Sequence, residues 1–330
     1  MTIAVLRRRL RLAALLFLYA SLAGLVVSTA LAELGQSWWI ADLFAHFRYH
    51  YALGALLLLA AAVALGRRGA GVAAAFLIVP QLWAVAAPPR TPPATEAAAD
   101  TSLRVMSVNV LWSNPRFGDV ARTIEREAPD VVALQEVHGQ WFDVVERLSA
   151  RLPHVAPADW RARRPDNILL SRFPISESRL VVPPNQQRAI AHVEATLAVN
   201  GRPVRVLAVH PPLPAGPILT AVRQAHLDYY AQLAAKTELP LLIVGDFNIT
   251  PYSPRFRALL REGGLRYVHL GWNWPRSWPS ANYGALPRYV RGFPIDHVLT
   301  SRHFAAASAR ALEDVGSDHY PVLADLLLLR

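Results

Sequence analysis

Three apolar runs near the start of the chain carry no charge: about Leu12 to Ala32, Tyr49 to Gly66, and Gly69 to Pro88. Each is close to the roughly 20 residues that cross a bilayer core, the second being short. Buried helices of a soluble core are the alternative, and three consecutive charge-free runs make it the weaker one. Arginine placement sets the expected orientation. Arg7, Arg8, Arg9 and Arg11 precede the first run, and Arg67 and Arg68 sit in the turn between the second and third. The loop between the first two runs holds Glu33, Asp42 and only Arg48. The N-terminus and the second turn are therefore expected to be cytoplasmic, and everything after Pro88 extracytoplasmic. Trp38, Trp39 and Trp83 suit interfacial belts. An Arg-rich start followed by "ALA" at Ala30 to Ala32 is also compatible with a cleaved signal peptide. The first run is long for that, so a retained anchor is the preferred reading.

The stretch "APPRTPPATEAAAD" has little to bury and reads as a linker. The expected organisation is a membrane anchor over 1–88 with three transmembrane helices, a Pro/Ala-rich linker over 89–100, and a globular domain over 101–330. The chain has no cysteine, which excludes disulfides and thiolate metal sites. The net charge of +10 is almost all arginine, with Lys236 the only lysine. That balance suits nucleic acid, anionic lipid or phosphorylated substrates, although genome composition alone can favour arginine over lysine.

In the globular part, "LRVMSVNV", "DVVALQEV", "NILLSRFPI" and "PLLIVGDFN" read as strands, as do "IDHVLTS" and "HYPVLADLLL" near the C-terminus. "AIAHVEATLAV" and "PVRVLAVH" form a hairpin around Asn200 and Gly201. Helices are expected over "FGDVARTIEREAP", about Ile218 to Leu233, and Arg255 to Glu262. Strands and helices thus mix, with many hairpin-like neighbours, which fits an α/β or α+β layered sheet fold better than a strictly parallel one.

Asn109, Glu136, His210, Asp246, Asn248, Asp296, Asp318 and His319 all sit at the edges of apolar runs. Each alone reads as a turn or capping residue. Together they are harder to dismiss, because strands ending in one layer bring such groups to a common rim. Asp246 and Asn248 are two apart, so on an extended chain they face the same side. Carboxylates and carboxamides without cysteine make a hard, oxygen-rich set that suits Mg²⁺ or Mn²⁺. Two histidines beside them suit an anionic substrate or proton transfer. A Ser-His-Asp esterase is a weaker reading, since the sequence has no GxSxG elbow.

"SVNV", "LQEV", "VH", "GDFN", "IDHV" and "SDHYPV", in this order, resemble the endonuclease/exonuclease/phosphatase superfamily, the deoxyribonuclease-I-like phosphohydrolases. The resemblance spans about Leu103 to Leu326, and the apolar runs make the chain similar to the bacterial membrane-anchored branch. It implies a four-layer sandwich of two mixed β-sheets flanked by helices, and metal-dependent cleavage of phosphate esters. It implies Glu136 as the chief Mg²⁺ ligand, with Asn109 and Asp318 close to the metal. Asp246 would orient or deprotonate the attacking water, and Asn248 would steady the water or a phosphate oxygen. His319, held by Asp296, would contact the phosphate. At the place of His210, abasic-site nucleases of the superfamily typically carry tyrosine and lipid- and inositide-cleaving members typically carry histidine, although some nucleases carry histidine too. The expected activity is therefore a phosphodiesterase or phosphatase on lipid-linked or surface phosphate esters, in a multi-pass protein of the bacterial cytoplasmic membrane. An exported nuclease is the alternative, and a non-catalytic binding protein is a third class. The aromatic and Arg-rich stretch Gly271 to Phe293 reads equally as a substrate loop or as packing filler. Trp272, Trp274 and Arg188 are further substrate-binding candidates. The bilayer is the expected partner, nucleic acid is not favoured, and no protein partner is evident.

Overall fold

The computed structural model describes residues 2–93, 99–183, 190–270, 276–281 and 292–330. The chain divides into two compact units: Met1–Pro88 with Pro251–Arg257, and Pro89–Thr250 with Ala258–Arg330.

The first unit contains α1 (Ile3–Glu33), α2 (Trp39–Ala45), α3 (Arg48–Ala64) and α4 (Arg68–Ala86). The stretch Ile3–Gln36 and helix α4 are each long and apolar enough to cross a membrane. The span expected from Tyr49 is different. Helix α3 has 17 residues, about 26 Å at 1.5 Å per residue, short of a roughly 30 Å core. It counts as a span only together with α2, from which it is bent by 62°. Leu18 and Leu22 of α1 pack with Ala62, Ala70 and Ala74, small side chains that let the helices approach closely. Arg48, expected as a loop charge, is fully buried. Its guanidinium donates to Glu33 Oε1 at 2.6 Å and to Gln81 Oε1 at 3.2 Å. Gln81 Nε2 in turn donates to Thr29 Oγ1 at 2.9 Å. A buried guanidinium is tolerable only with such partners.

The second unit opens with β1 (Ala99–Asn109), α5 (Phe117–Glu127), β2 (Val131–Gln135), α6 (Trp141–Leu148), β3 (His154–Ala156), α7 (Trp160–Arg163) and β4 (Ile168–Ser171). Next come β5 (Ile175–Val181), β6 (His192–Val199), β7 (Arg202–Val209), α8 (Pro217–Lys236) and β8 (Leu241–Asp246), then α9 (Pro254–Gly263), which belongs to this unit from Ala258 on. The last strands are β9 (Arg266–Tyr267), β10 (Asp296–Thr300), β11 (Phe304–Ala311) and β12 (Val322–Leu329). They form two six-stranded sheets, ordered β11-β12-β1-β2-β4-β3 and β5-β6-β7-β8-β10-β9. Both are mixed: β1 runs parallel to β2 and β7 parallel to β8, and the other pairs are antiparallel.

The period of two in the strands builds the layers. Leu103, Val105, Val131 and Ala133 of one sheet join Val193, Val204, Val206, Leu242 and Val244 of the other in one core between the sheets. The alternate residues Met106, Val108, Val132 and Leu134 face outward and pack under Ile124 of α5 and Trp141 and Val145 of α6. Helix α8 buries Val222, Leu227 and Tyr230, and the Tyr230 ring meets Phe247, just past β8, edge-on at 6.2 Å. The result is a four-layer α/β sandwich.

Two local expectations need correcting. "NILLSRFPI" is not one strand. It is β4, a turn in which the Phe173 N–H donates to Ser171 Oγ at 2.9 Å, and the start of β5 in the other sheet. Residues 89–93 are not a free linker either. Thr91 N–H donates to Tyr267 O at 2.9 Å, Tyr267 N–H to Pro89 O at 3.0 Å, and Ala306 N–H to Pro92 O at 2.8 Å. Side chains with little to bury do not prevent a backbone from pairing at a sheet edge.

Candidate active site

The topology brings the polar strand ends together. Asn109 ends β1 and pairs in register with Gln135, the last residue of β2, so Glu136 emerges beside it. Val209 of β7 pairs with Gly245 of β8, which places His210 and Asp246 side by side. Strand β10 is antiparallel to β8 with Asp296 opposite Asp246, so its first residue reaches the same rim. Strand β12 is antiparallel to β1, and the turn before it carries Ser317, Asp318 and His319. Ser317 Oγ donates to Asn109 O at 2.7 Å and accepts from the His319 N–H at 3.0 Å, pinning that turn to β1.

Asp246 Oδ2 is the centre of the cluster. Asn109 Nδ2 donates to it at 3.3 Å and to Glu136 Oε1 at 3.0 Å, linking the two sheets. Asn248 Nδ2 approaches it at 3.4 Å and also donates to Pro211 O at 3.1 Å. The Asn248 backbone N–H donates to Asp246 Oδ1 at 2.8 Å. His210 Nε2 and His319 Nε2 each lie 3.6 Å from Asp246 Oδ2. Those two separations exceed a direct hydrogen bond, and a water can bridge such a gap by accepting from a ring N–H and donating to the carboxylate.

Each histidine is backed by its own carboxylate. His319 Nδ1 is 2.8 Å from Asp296 Oδ2. Burial opposes a charge on His319, but the Asp296 and Asp246 carboxylates override it and push its pKa up to about 10. His210 Nδ1 is 3.2 Å from Asp166 Oδ2. There too burial opposes the charge, and Asp166 with Asp246 raises the pKa to about 9. Asp246 is itself pushed up, mainly by burial, with His319 opposing. The rim therefore holds two imidazolium groups aimed at one buried carboxylate.

Asp246, Asp296 and His319 bring ligand atoms within 4.8 Å of one another. That trio is a poor metal site. His319 Nδ1 is engaged by Asp296, and a protonated ring has no lone pair to give. Glu136 and Asp318 suit a cation better. Glu136 Oε2 accepts from the Trp112 backbone N–H at 3.2 Å, which leaves further lone pairs for an ion. Asp318 Oδ2 accepts from the Trp278 indole at 3.1 Å, whereas Asp318 Oδ1 is buried with no hydrogen-bond partner among the described residues. Each carboxylate thus offers an oxygen of the kind a hard divalent ion takes. Asn109 lies beside Glu136, to which its Nδ2 donates at 3.0 Å. Its Oδ1 accepts from the Leu111 N–H at 3.0 Å, so its amide nitrogen, not its oxygen, faces the carboxylates.

The structure thus assembles Asn109, Glu136, His210, Asp246, Asn248, Asp296 and His319, with Asp318 adjoining. Arg188, Trp272 and Trp274 lie outside the described residues. Asp166 was missed because its partner His210 lies 44 residues further along the chain. The signal was available: β4 is antiparallel to β2, so a residue entering β4 reaches the same rim. Trp278 was also missed, its partner lying 40 residues away.

The family model described as "Endonuclease/Exonuclease/phosphatase family" matches residues 106–319. No curated protein matches the chain. Among solved structures, an endonuclease/exonuclease/phosphatase from Beutenbergia cavernae is 24% identical, covering 69% of this chain and 72% of its own, with a TM-score of 0.56. A D. rerio TDP2 complexed with a single-strand DNA product is 18% identical, covering 69% and 99%, with a TM-score of 0.55. A beta toxin from Staphylococcus aureus with bound magnesium ions is 17% identical, covering 68% and 99%, with a TM-score of 0.54.

Proposed function

The chain belongs to the endonuclease/exonuclease/phosphatase family, whose members are metal-dependent phosphoric ester hydrolases, and from that premise we propose a membrane-anchored enzyme that cleaves lipid-linked or surface phosphate esters outside the cytoplasmic membrane. One observation carries the reading: His210 Nε2 and His319 Nε2 both stand 3.6 Å from Asp246 Oδ2, each imidazole backed by its own acid.

Phosphoryl transfer needs positioning and charge neutralisation more than covalent chemistry. His319 and His210, held charged by Asp296 and Asp166, bind the phosphate oxygens and stabilise charge as it grows on them. Asp246 accepts a proton from the attacking water, its raised pKa making it a better base than an ordinary aspartate. Asn248 and Asn109 fix that carboxylate, and Asn248 also steadies the water. Glu136, with Asp318 beside it, would hold Mg²⁺ or Mn²⁺, which supplies a Lewis acid on a phosphate oxygen when bound.

Arginine placement about the apolar helices supports the outside location, and His210 supports a lipid substrate. The nuclease reading keeps one argument in its favour, the net charge of +10. The full chain in detergent, supplied with Mg²⁺ or Mn²⁺, separates the readings when phospholipid, polyprenyl phosphate and single-stranded DNA are compared. Turnover of a lipid phosphate ester, lost with chelator and lost in Glu136→Gln together with Mn²⁺ binding, is expected. Turnover of DNA alone would replace the lipid reading, and full activity in excess chelator would refute the metal site.

A further inference from the structure

Among the described residues beyond Pro88, the exposed large apolar side chains are Trp112, Val182, Leu213 and Ile218. Single exposed hydrophobics are ordinary on any surface. Here two of the four stand next to one site, and a third opens the helix that follows. The backbone N–H of Trp112 donates to Glu136 Oε2 at 3.2 Å, and the residue is 63% exposed. Leu213 follows Pro211 by two residues, a reach of at most about 7 Å, and Pro211 O accepts from Asn248 Nδ2 at 3.1 Å. Leu213 is 56% exposed. Ile218, 61% exposed, stands in the first turn of α8, directly after the same loop. The site is thus flanked by apolar groups on the β1 side and on the β7 side.

We propose that Trp112, Leu213 and Ile218 form a rim that enters a phospholipid surface, so that the enzyme takes its phosphate ester from a lipid headgroup in place. The proposal rests on the hydrolase reading above and adds the surface that presents the substrate. The chemistry of the rim selects the occupant. Nucleobases bind by stacking and need π-faces, which Leu213 and Ile218 lack. Acyl chains accept leucine and isoleucine, and tryptophan suits the headgroup boundary. The same chain carries helices long and apolar enough to cross a membrane, so a bilayer is covalently within reach of the hydrolase unit.

The absence of cysteine from the sequence makes the test direct. In the full chain, Leu213→Cys and Ile218→Cys each offer one attachment point for an environment-sensitive fluorophore, and Glu313→Cys on an exposed side chain serves as control. The labelled proteins are reconstituted into phospholipid vesicles containing spin-labelled lipid. Labels at 213 and 218 should shift to the blue and be quenched, whereas the label at 313 should not. In parallel, kcat/KM for a vesicle phospholipid is divided by kcat/KM for a soluble chromogenic phosphodiester. Leu213→Ser and Ile218→Ser should each lower that ratio about tenfold, the effect expected when one aliphatic side chain loses its apolar surroundings. Unquenched labels or an unchanged ratio overturn the proposal. A response to single-stranded DNA without one to lipid overturns it too and assigns the rim to nucleic acid. If the wild-type protein cleaves no phosphate ester at all, the hydrolase reading fails, and the quenching result still decides the rim.

Discussion

Replacing Asp296 with asparagine removes one charge behind His319 and leaves the shape nearly unchanged. Both residues are buried, and the bond between them is 2.8 Å. The Asp296 backbone is held separately, its N–H donating to Ser277 Oγ at 3.0 Å, so the side chain can change without releasing the strand. Burial opposes a charged His319, and Asp296 with Asp246 lifts its pKa to about 10. A hydrogen bond to a charged group contributes about 1.5–3 kcal/mol, equivalent to about one to two pKa units. His319 in Asp296→Asn should therefore lose its proton one to two units lower, Asp246 still holding it above the ordinary value. Activity that needs the cation is present below that pKa and is lost as pH rises through it. The assay is kcat on a soluble phosphodiester at saturating Mg²⁺, from about pH 6 to about pH 10. Because His210 loses its proton near 9 in either protein, the alkaline limb should move down by up to about one unit. Near the acid end both proteins carry the charge, so any loss there reports orientation alone. An alkaline limb that stays in place with kcat unchanged would refute the assignment of His319 as a cation held by Asp296.

Trp278→Phe keeps the ring stacked 6.2 Å from Phe293 and removes the indole donor to Asp318; Mn²⁺ affinity measured by calorimetry should fall about tenfold or more, and an unchanged affinity would show that Asp318 needs no such support. Gly245→Ala would put a methyl carbon 1.9 Å from the Val209 carbonyl oxygen at a φ of +154°; the loss should exceed about 4 kcal/mol, and a protein with wild-type thermal stability would contradict the strand spacing. Glu194 is buried, which pushes its pKa up, but bonds from His192, Tyr229, Arg179 and Arg205 hold it well below the usual carboxylate range. Its contribution to stability is complete above the unfolded value of about 4.3 and is lost as pH falls toward the folded value. Thermal unfolding of the full chain in detergent should become less acid-sensitive in Glu194→Gln, and an equal pH slope in both proteins would contradict it.

The strands were legible because their period of two survives in the sequence: Leu103, Val105 and Val131 face one layer, and Met106, Val108 and Val132 the other. Most of the site was legible because topology places strand ends on one rim, and a polar residue after an apolar run is visible in a linear text. What stayed hidden depends on partners distant in sequence. Asp166 meets His210 across 44 residues, and Trp278 meets Asp318 across 40. Arg48 read as a loop charge because nothing local reveals Glu33 and Gln81 folding over it. The 62° bend between α2 and α3 was invisible for a related reason: apolarity reports what a segment can bury, not the direction in which it runs.

The stretch that ends β8 gives the clearest link from sequence to chemistry, because each polar or small residue in Gly245-Asp246-Phe247-Asn248 meets a separate physical demand. The virtual Cβ of Gly245 would lie 1.9 Å from Val209 O, so only glycine lets the β7 and β8 backbones approach closely here. That approach brings His210 Nε2 within 3.6 Å of Asp246 Oδ2. Phe247 is fully buried against Tyr230, and this anchors the chain as it leaves the sheet. Asn248 then takes a φ of +51°, a left-handed conformation that asparagine tolerates better than most residues. That turn lets both the backbone N–H and the side-chain amide of Asn248 face back onto Asp246. Glu136 does the same after β2 with a φ of +62°, in a residue with no such tolerance. A glutamate in that conformation costs on the order of 1–3 kcal/mol and persists only where its surroundings hold it. Here the Trp112 N–H and the Asn109 amide hold its two oxygens. The contacts that hold the Glu136 carboxylate also offset the strain of its backbone, and relaxing that backbone would turn the carboxylate away from Asn109 and His210.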